Sequence, residues 1–239
     1  MAGIPAAAQA AFFDPEQHRI AVLEFVRRIE EARDLEGVAE VDGILLQRSR
    51  KAFVPQLGHI SLVFLREIVE HRSRGRVLDV GTGSGVYALA AARSSAAVVA
   101  TDISQEAIEV AKGNAELNDL RNVEFRAGSM FDAIAATERF DIILANLPFT
   151  APKHARAAEN SAYYGWICMR EELLDEFVRG SVRHLAPGGV VYFTYGSSGN
   201  LERLASLIDE TRCEWGVETV MERRDLGETF FIFSLSLRQ

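Results

Sequence analysis

From residue 76 onward, short apolar runs alternate with longer stretches in which apolar residues recur at helical spacing. Arg76-Val77-Leu78-Asp79-Val80 reads as a strand and Val86 to Arg93 as an alanine-rich helix. Ala97 to Thr101 is a second strand. Gln105 to Leu117 is a helix with Ala107, Ile108 and Ala111 on one face and Ser104 placed to cap its N-terminus. Val123 to Arg126 and Phe140 to Ala145 are further strands, and Glu171 to Leu185 is a helix expected to end at the Pro187-Gly188-Gly189 cluster. Val190 to Tyr195 is a strand and Leu201 to Thr211 a helix. Two β-rich runs near 214–221 and 229–237 are close enough to pair antiparallel at one edge. Strands alternating with crossover helices predict an α/β fold, a mostly parallel, doubly wound sheet.

The first 75 residues follow a different pattern. Asp14-Pro15 precedes a charged amphipathic helix from about Glu16 to Leu35, with Pro15 suited to its first turn. Val38 to Leu46 reads as short strands around the turn pair Asp42-Gly43, and Ile60 to His71 as a second helix. These elements are too few to bury a core of their own. Residues 1–75 are therefore expected to form a cap or lid over the mouth of a sheet built from residues 76–239.

Composition narrows the class. The 239 residues are 48% apolar and 25% charged, ordinary for a globular chain, and no apolar run approaches the roughly 18 residues of a membrane span. The leader MAGIPAAAQAAFFDPEQ lacks a basic start and an apolar centre, so it reads as a frayed or loosely packed segment and not a signal peptide. Cys168 and Cys213 stand far apart as small core residues, which fits a reducing cytoplasm. His18, His59, His71, His154 and His184 form no ligand cluster, so no metal is expected. A net charge of −8 disfavours nucleic acid, because each phosphate contact needs a cation. The basic runs Arg48-Ser49-Arg50-Lys51 and His71-Arg72-Ser73-Arg74-Gly75-Arg76 are read as a solvated edge and a helix C-terminus.

Asp79-Val80-Gly81-Thr82-Gly83-Ser84-Gly85 joins a strand to a helix, where open α/β sheets bind ligands. Val86 occupies the sixth position of a GxGxxG fingerprint, so the spacing is GxGxG. A carboxylate at Asp79 would repel a pyrophosphate but suits a ligand ammonium. Asp102, at the end of the second strand, stands where an acidic side chain accepts ribose hydroxyls. This combination favours S-adenosylmethionine over NAD and over a ligand-free packing turn. The segments DVGTGSG, TDIS, Ala127-Gly128-Ser129-Met130 and NLPF then resemble the class I S-adenosylmethionine-dependent methyltransferases, from about Phe53 to the C-terminus. The resemblance implies a Rossmann-like seven-stranded sheet behind an N-terminal helical cap. It assigns the cofactor to Asp79, Gly81, Thr82, Gly83, Gly85, Asp102, Ile103, Ser129, Met130 and Asn146. Ser129 replaces an aspartate common in the family, so adenine recognition there falls to backbone groups or to the Ser129 hydroxyl.

Asn146-Leu147-Pro148-Phe149, after the strand ending at Ala145, resembles the Asn-Pro-Pro-Tyr/Phe motif of methyltransferases acting on amine and amide nitrogens. A planar amide is a poor nucleophile, because its lone pair is delocalised. An oxygen from Asn146 and the Leu147 carbonyl would accept its N–H bonds, and Phe149 would stack on its plane. Catalysis would consist mostly of orientation. Asn146, Leu147 and Phe149 are thus the expected catalytic group. Pro148 and the aromatics Tyr163, Tyr164 and Trp166 are candidates for the substrate wall, with coverage of the core edge as the alternative for the aromatics. Lys153 and His154 are better read as a solvent-facing loop.

The resemblance is nearest to the release-factor glutamine methyltransferases, whose C-terminal segment is echoed by Gly196 to Arg212 and Arg224-Asp225-Leu226-Gly227. Two departures are visible: a short cap replaces the long helical N-terminal domain, and Phe53-Val54-Pro55 leads to Gln56 and His59 where relatives carry a carboxylate. The expected function is S-adenosylmethionine-dependent N-methylation of a small molecule or a protein side chain. One alternative is a cyclase of the same fold, yielding azetidine-2-carboxylate and methylthioadenosine. Another is a non-catalytic S-adenosylmethionine-binding protein. No oligomeric state follows from the sequence.

Overall fold

The computed structural model describes residues 4–31, 37–47, 49, 51–52 and 58–238, with the backbone alone at residues 31 and 59. The expectations for Phe53-Val54-Pro55, Gln56, Arg48 and Arg50, and for the His59 side chain, lie outside the described residues. In chain order the elements are α1 (Ala6–Gln9), α2 (Pro15–Glu31), β1 (Val38–Val41), β2 (Ile44–Gln47), α3 (His59–Phe64), a π-helical turn (Leu65–Val69) and α4 (Glu70–Arg72). Then come β3 (Arg76–Val80), α5 (Val86–Ala92), β4 (Ala97–Asp102), α6 (Gln105–Leu117), β5 (Val123–Ala127) and β6 (Phe140–Ala145). The remainder is α7 (Pro152–Ala155), α8 (Glu171–His184), β7 (Leu185–Gly196), α9 (Leu201–Glu210), β8 (Cys213–Arg223) and β9 (Glu228–Leu237).

Seven strands form one sheet in the order β5-β4-β3-β6-β7-β9-β8. The first five are parallel, and β9 pairs antiparallel with both β7 and β8. Successive residues of the central strands feed opposite faces. On β6, Ile142 and Leu144 join one core with Val77, Leu89 and Phe64, while Ile143 and Ala145 join the other with Leu78, Phe177 and Leu207. Burial on both faces explains why these strands read as continuous apolar runs. Strand order reverses between β3 and β6, so a crevice opens at their C-terminal ends.

Two expectations need correction. The helix before Pro187 stops at His184, and β7 begins at once at Leu185 and runs through the Pro-Gly-Gly cluster. Leu185 pairs with Phe140 and Val190 with Ile142, so the intervening segment is looped out of the ladder instead of ending a helix. The described part of the leader is not loose either. Phe12 N–H donates to Thr229 Oγ1 at 3.0 Å, Asp14 N–H donates to the Gly227 carbonyl at 2.9 Å, and Phe13 bridges Glu228. Asp14 Oδ1 accepts from the Glu16 and Gln17 amides and caps α2, whose helical turns start at Pro15 as expected.

The β1–β2 hairpin is held by amide side chains of α6. Asn118 both accepts from Leu45 N–H (2.9 Å) and donates to Leu45 C=O (2.7 Å), and Asn114 Oδ1 accepts from Gln47 N–H at 2.7 Å. A strand edge otherwise left unpaired is satisfied in this way. Among the described residues, no helix is long and apolar enough to cross a membrane.

Two helical glycines make opposite predictions. A Cβ at Gly180 on α8 would overlap the Phe131 ring, whereas at Gly113 on α6 the nearest atom is 4.0 Å away. Gly180→Ala should destabilise the fold by about 1–3 kcal/mol through overpacking. Gly113→Ala should stabilise it by about 0.5–1 kcal/mol through helix propensity. Urea unfolding of the two variants side by side reads both signs, and equal shifts would contradict the packing.

Candidate functional site

Both loops singled out in the sequence meet at the crevice. Val80 pairs with Ala145 in the parallel ladder, so the glycine loop after β3 and Asn146 after β6 leave the sheet at the same height. They line one cavity of about 370 Å³, within the range of small-molecule sites.

The glycine loop is shaped by packing as much as by any ligand. Gly81 (φ 73°) lies under Leu147, whose Cδ2 would stand 2.7 Å from a Cβ there. Gly85 (φ 87°) starts α5 against Ala111. Asp79 is wholly buried beneath the loop, outside the lining of the cavity. Its Oδ2 accepts from Thr82 Oγ1 (2.6 Å) and Ala88 N–H (3.2 Å), while Oδ1 has no partner among the described residues. Burial pushes its carboxyl from the ordinary 3.8 up to about 7, against the lowering effect of those two hydrogen bonds.

Asp102 lines the cavity. Oδ2 accepts from Gly83 N–H and Oδ1 from Ser104 N–H, each at 2.9 Å, while Ser104 caps α6 by accepting from Ala107 N–H. One acceptor position remains on each carboxylate oxygen, the arrangement that suits a vicinal diol. Burial raises its pKa, and the two amides oppose the rise. Thr82, Gly83, Ile103, Ser129 and Met130 also line the cavity, Ile103 being 77% exposed.

Asn146 is pinned at three points. Its Nδ2 donates to Ser61 Oγ (2.9 Å) and to the Tyr87 hydroxyl (2.8 Å), and its Oδ1 accepts from Thr194 Oγ1 (2.7 Å). The Tyr87 hydroxyl spends its own proton on the Ser61 carbonyl at 3.2 Å, so toward Asn146 it can only accept. Burial pushes the Tyr87 phenol well above its ordinary range, which keeps it protonated. The amide therefore has one orientation, and Oδ1 keeps one lone pair for a donor in the cavity.

Leu147, Pro148 and Phe149 continue along the wall. The Phe149 ring meets Phe230 edge-on (centroids 5.8 Å apart) and Tyr195 at 6.3 Å. Of the aromatic group, Trp166 lines the cavity and Tyr163 packs against it at 5.0 Å. Tyr163 and Tyr164 are not in the lining, and Tyr164 packs on the small apolar cluster around Val22 and Ile167. His154 sits edge-on to Phe13 at 4.6 Å, and burial lowers its pKa. Among the described residues, no group of His, Cys, Asp or Glu is disposed to hold a metal.

Sequence reasoning missed Ser61, Tyr87 and Thr194, which lie on ordinary core faces of α3, α5 and β7. It also missed His18 and Glu228, buried partners 3.1 Å apart that line the same cavity. Only Glu228 carried a signal, as a lone carboxylate opening the apolar run Phe230 to Phe233.

A family model described as "Methyltransferase domain" matches residues 71–228. The release factor glutamine methyltransferase of Bordetella pertussis is 33% identical over 66% of this chain and 60% of that protein. A chain of Methanocaldococcus jannaschii, described as a candidate protein N5-glutamine methyltransferase, is 30% identical over 71% of this chain and 85% of its own length. The chain thus spans only about a quarter to three fifths of the bacterial release-factor enzymes it first matches. A methyltransferase structure from Pyrococcus furiosus superposes with a TM-score of 0.56 at 21% identity, covering 92% of this chain and 98% of that one, and shows the same fold.

Asp79 predicts a pH effect on stability. Its folded pKa lies above the unfolded value, so its contribution is fully present below about pH 4 and is lost as pH rises through about 7. Relative to Asp79→Asn, which does not titrate, the wild-type unfolding free energy should fall between pH 4 and 7 and level off above. Urea titrations at pH 4, 5.5 and 7.5 test this, and a pH-independent difference would refute it.

Proposed function

The chain belongs to the methyltransferase domain family, in the group of the release-factor glutamine methyltransferases and their relatives, and we propose that it transfers a methyl group from S-adenosylmethionine to the side-chain amide nitrogen of a glutamine. The observation that carries this reading is the single orientation of Asn146, with one free Oδ1 lone pair, on the wall of the cavity that also holds Asp102. A residue that must aim a weakly nucleophilic nitrogen needs such an arrangement. A strand-ending turn does not.

In this proposal Asp102 accepts the ribose hydroxyls through its two remaining acceptor positions. Ile103, Ser129 and Met130 flank the adenine, and Gly81, Thr82, Gly83 and Gly85 form the floor under the methionine part. When bound, S-adenosylmethionine supplies an activated methyl on a sulfonium. The chain's own task is then positional. Asn146 Oδ1 accepts one N–H of the acceptor amide, the Leu147 carbonyl accepts the other, and Phe149 covers its plane. Fixing two reactants in this way replaces much of the acid–base work. Residues 1–75 act as a cap, a role supported by His18, Val22 and Phe25 of α2 on the cavity wall. The cytoplasm is the proposed compartment, since both buried cysteines are free thiols.

The direct test is mass spectrometry of the protein incubated with S-adenosylmethionine, first alone and then with free glutamine and with glutamine-containing peptides. Methylated glutamine with S-adenosylhomocysteine is the expected product. Methylthioadenosine formed without an acceptor would replace this reading with cyclisation of the cofactor, and no consumption would leave a binding protein.

Two substitutions separate the parts. Asn146→Ala should lower turnover by about 10²–10³, the typical loss for one preorganised hydrogen bond, with cofactor affinity held within a few-fold. Asp102→Ala should weaken cofactor binding by about 1.5–3 kcal/mol in calorimetry, as for a hydrogen bond to a charged group. Near-wild-type turnover in the first, or unchanged affinity in the second, would remove that residue from its proposed role.

A further inference from the structure

Beyond Phe149 the cavity wall holds a chain of buried polar groups that the reading above does not use. Glu228 opens β9 and is 2% exposed. Its Oε1 accepts from the Ser198 backbone N–H at 3.0 Å and from the Ser198 hydroxyl, and its Oε2 lies 3.1 Å from His18 Nδ1. Ser198 Oγ is in turn 3.3 Å from Thr150 Oγ1, on the loop that begins at Asn146. A Cβ at Gly196 would overlap Glu228 Oε1 and stand 2.6 Å from Phe149 Cε2, so the carboxylate and the aromatic ring crowd the same point. The pair thus borders the residue proposed to cover the acceptor.

A carboxylate surrounded by donors fixes the tautomer of a neutral histidine beside it. Nδ1 carries the proton given to Glu228, so in the neutral ring Nε2 is a bare acceptor. His18 is 4% exposed, its ring lines the cavity, and Nε2 is buried with no partner among the described residues. A purely structural clamp between α2 and β9 would not need that atom. Buried polar atoms are nearly always paired. Of the two unpaired side-chain atoms on described residues of the cavity wall, Ser84 Oγ and His18 Nε2, only the imidazole nitrogen belongs to a group already held at its other polar atom, and it calls for a partner that enters the cavity.

We propose that His18, oriented by Glu228, is a binding residue for the methyl acceptor, with Nε2 taking a hydrogen bond from an N–H or O–H of that molecule beside the Phe149 ring. The inference rests on Asn146 as the residue that aims the reacting nitrogen, and it deepens that reading by specifying the substrate class. The acceptor carries a second hydrogen-bond donor, set apart from the amide that is methylated. A glutamine with its backbone N–H meets this requirement. A bare primary amide does not.

The test uses the full chain, S-adenosylmethionine, and two probes: N-acetylglutamine N-methylamide, which has backbone N–H donors, and butyramide, which has only the primary amide. The wild type should prefer the first by at least tenfold in kcat/KM. His18→Asn keeps a donor for Glu228 but lacks an atom in the Nε2 position. It should raise KM for the first probe about tenfold or more, leave kcat within a few-fold, and abolish the preference over butyramide, while Tm and cofactor affinity stay unchanged. A preference that persists in His18→Asn overturns the inference, as does loss of folding or cofactor binding in that variant, since the pair is then only a clamp. Nitrogen-15 spectra of the imidazoles, assigned by the signal lost in His18→Asn, supply a readout that needs no acceptor. In the neutral ring they should show a protonated Nδ1 and a bare Nε2, and a protonated Nε2 with a bare Nδ1 refutes the proposal. If the wild type methylates neither probe, the glutamine reading fails and the inference that rests on it falls with it, whereas a persisting preference in His18→Asn sinks the inference alone.

Discussion

The parallel register between β3 and β6 is the constraint on which the site depends. Val80 opposite Ala145 brings the glycine loop and Asn146 out of the sheet side by side, and Leu147 can then pack directly on Gly81. A slip of two residues would keep every side chain on its proper face but separate the two loops by about 6–7 Å along the strands. The register is held by burial on both faces, with Ile142 and Leu144 in one core and Ile143 and Ala145 in the other. Packing in the middle of the sheet therefore fixes the geometry at its end.

On that foundation the cavity is divided by chemistry. The side under β3 and β4 presents acceptors held by backbone amides, as at Asp102. The side under β6, β7 and β9 presents side chains held by other side chains: Asn146 by Thr194 and Tyr87, and His18 by Glu228. Each such bond adds only about 0.5–1.5 kcal/mol net, so stability alone is a weak reason for their number. Their effect is directional. Asn146 and His18 each have one orientation, set by partners on other elements.

Much of this was legible in the sequence because it is local. The strands Arg76–Val80 and Phe140–Ala145, the cap at Ser104 and the loop Gly81–Gly85 announce themselves through apolar runs, a capping residue and glycine spacing. What escaped is non-local. Pro187-Gly188-Gly189 reads as a helix breaker, yet its conformation is set by the pairing of the flanking Leu185 and Val190 with β6. The leader reads as loose because its partners, Gly227 and Thr229, lie at the far end of the chain. Thr194 and Tyr87 occupy positions that any β-branched or aromatic residue would fill, so their hydroxyls become informative only once Asn146 is seen between them. His18 falls on the buried stripe of α2, where periodicity predicts a core residue and gives no hint of Glu228.

The stitching of Phe12, Asp14 and His18 to the start of β9 also has a consequence for how the molecule is made. The strands that carry the glycine loop, Asp102 and Asn146 are all synthesised by residue 146. The backing for the far wall, and the partner for His18, arrive only with Glu228. At about 5–20 residues per second, the roughly 80 residues between them take on the order of 4–16 s to emerge. During that interval α2 has no strand to dock on, and the imidazole that will face the cavity has no carboxylate to turn it. The glycine loop, Asp102 and Asn146 are thus synthesised well before the residues that back the far wall.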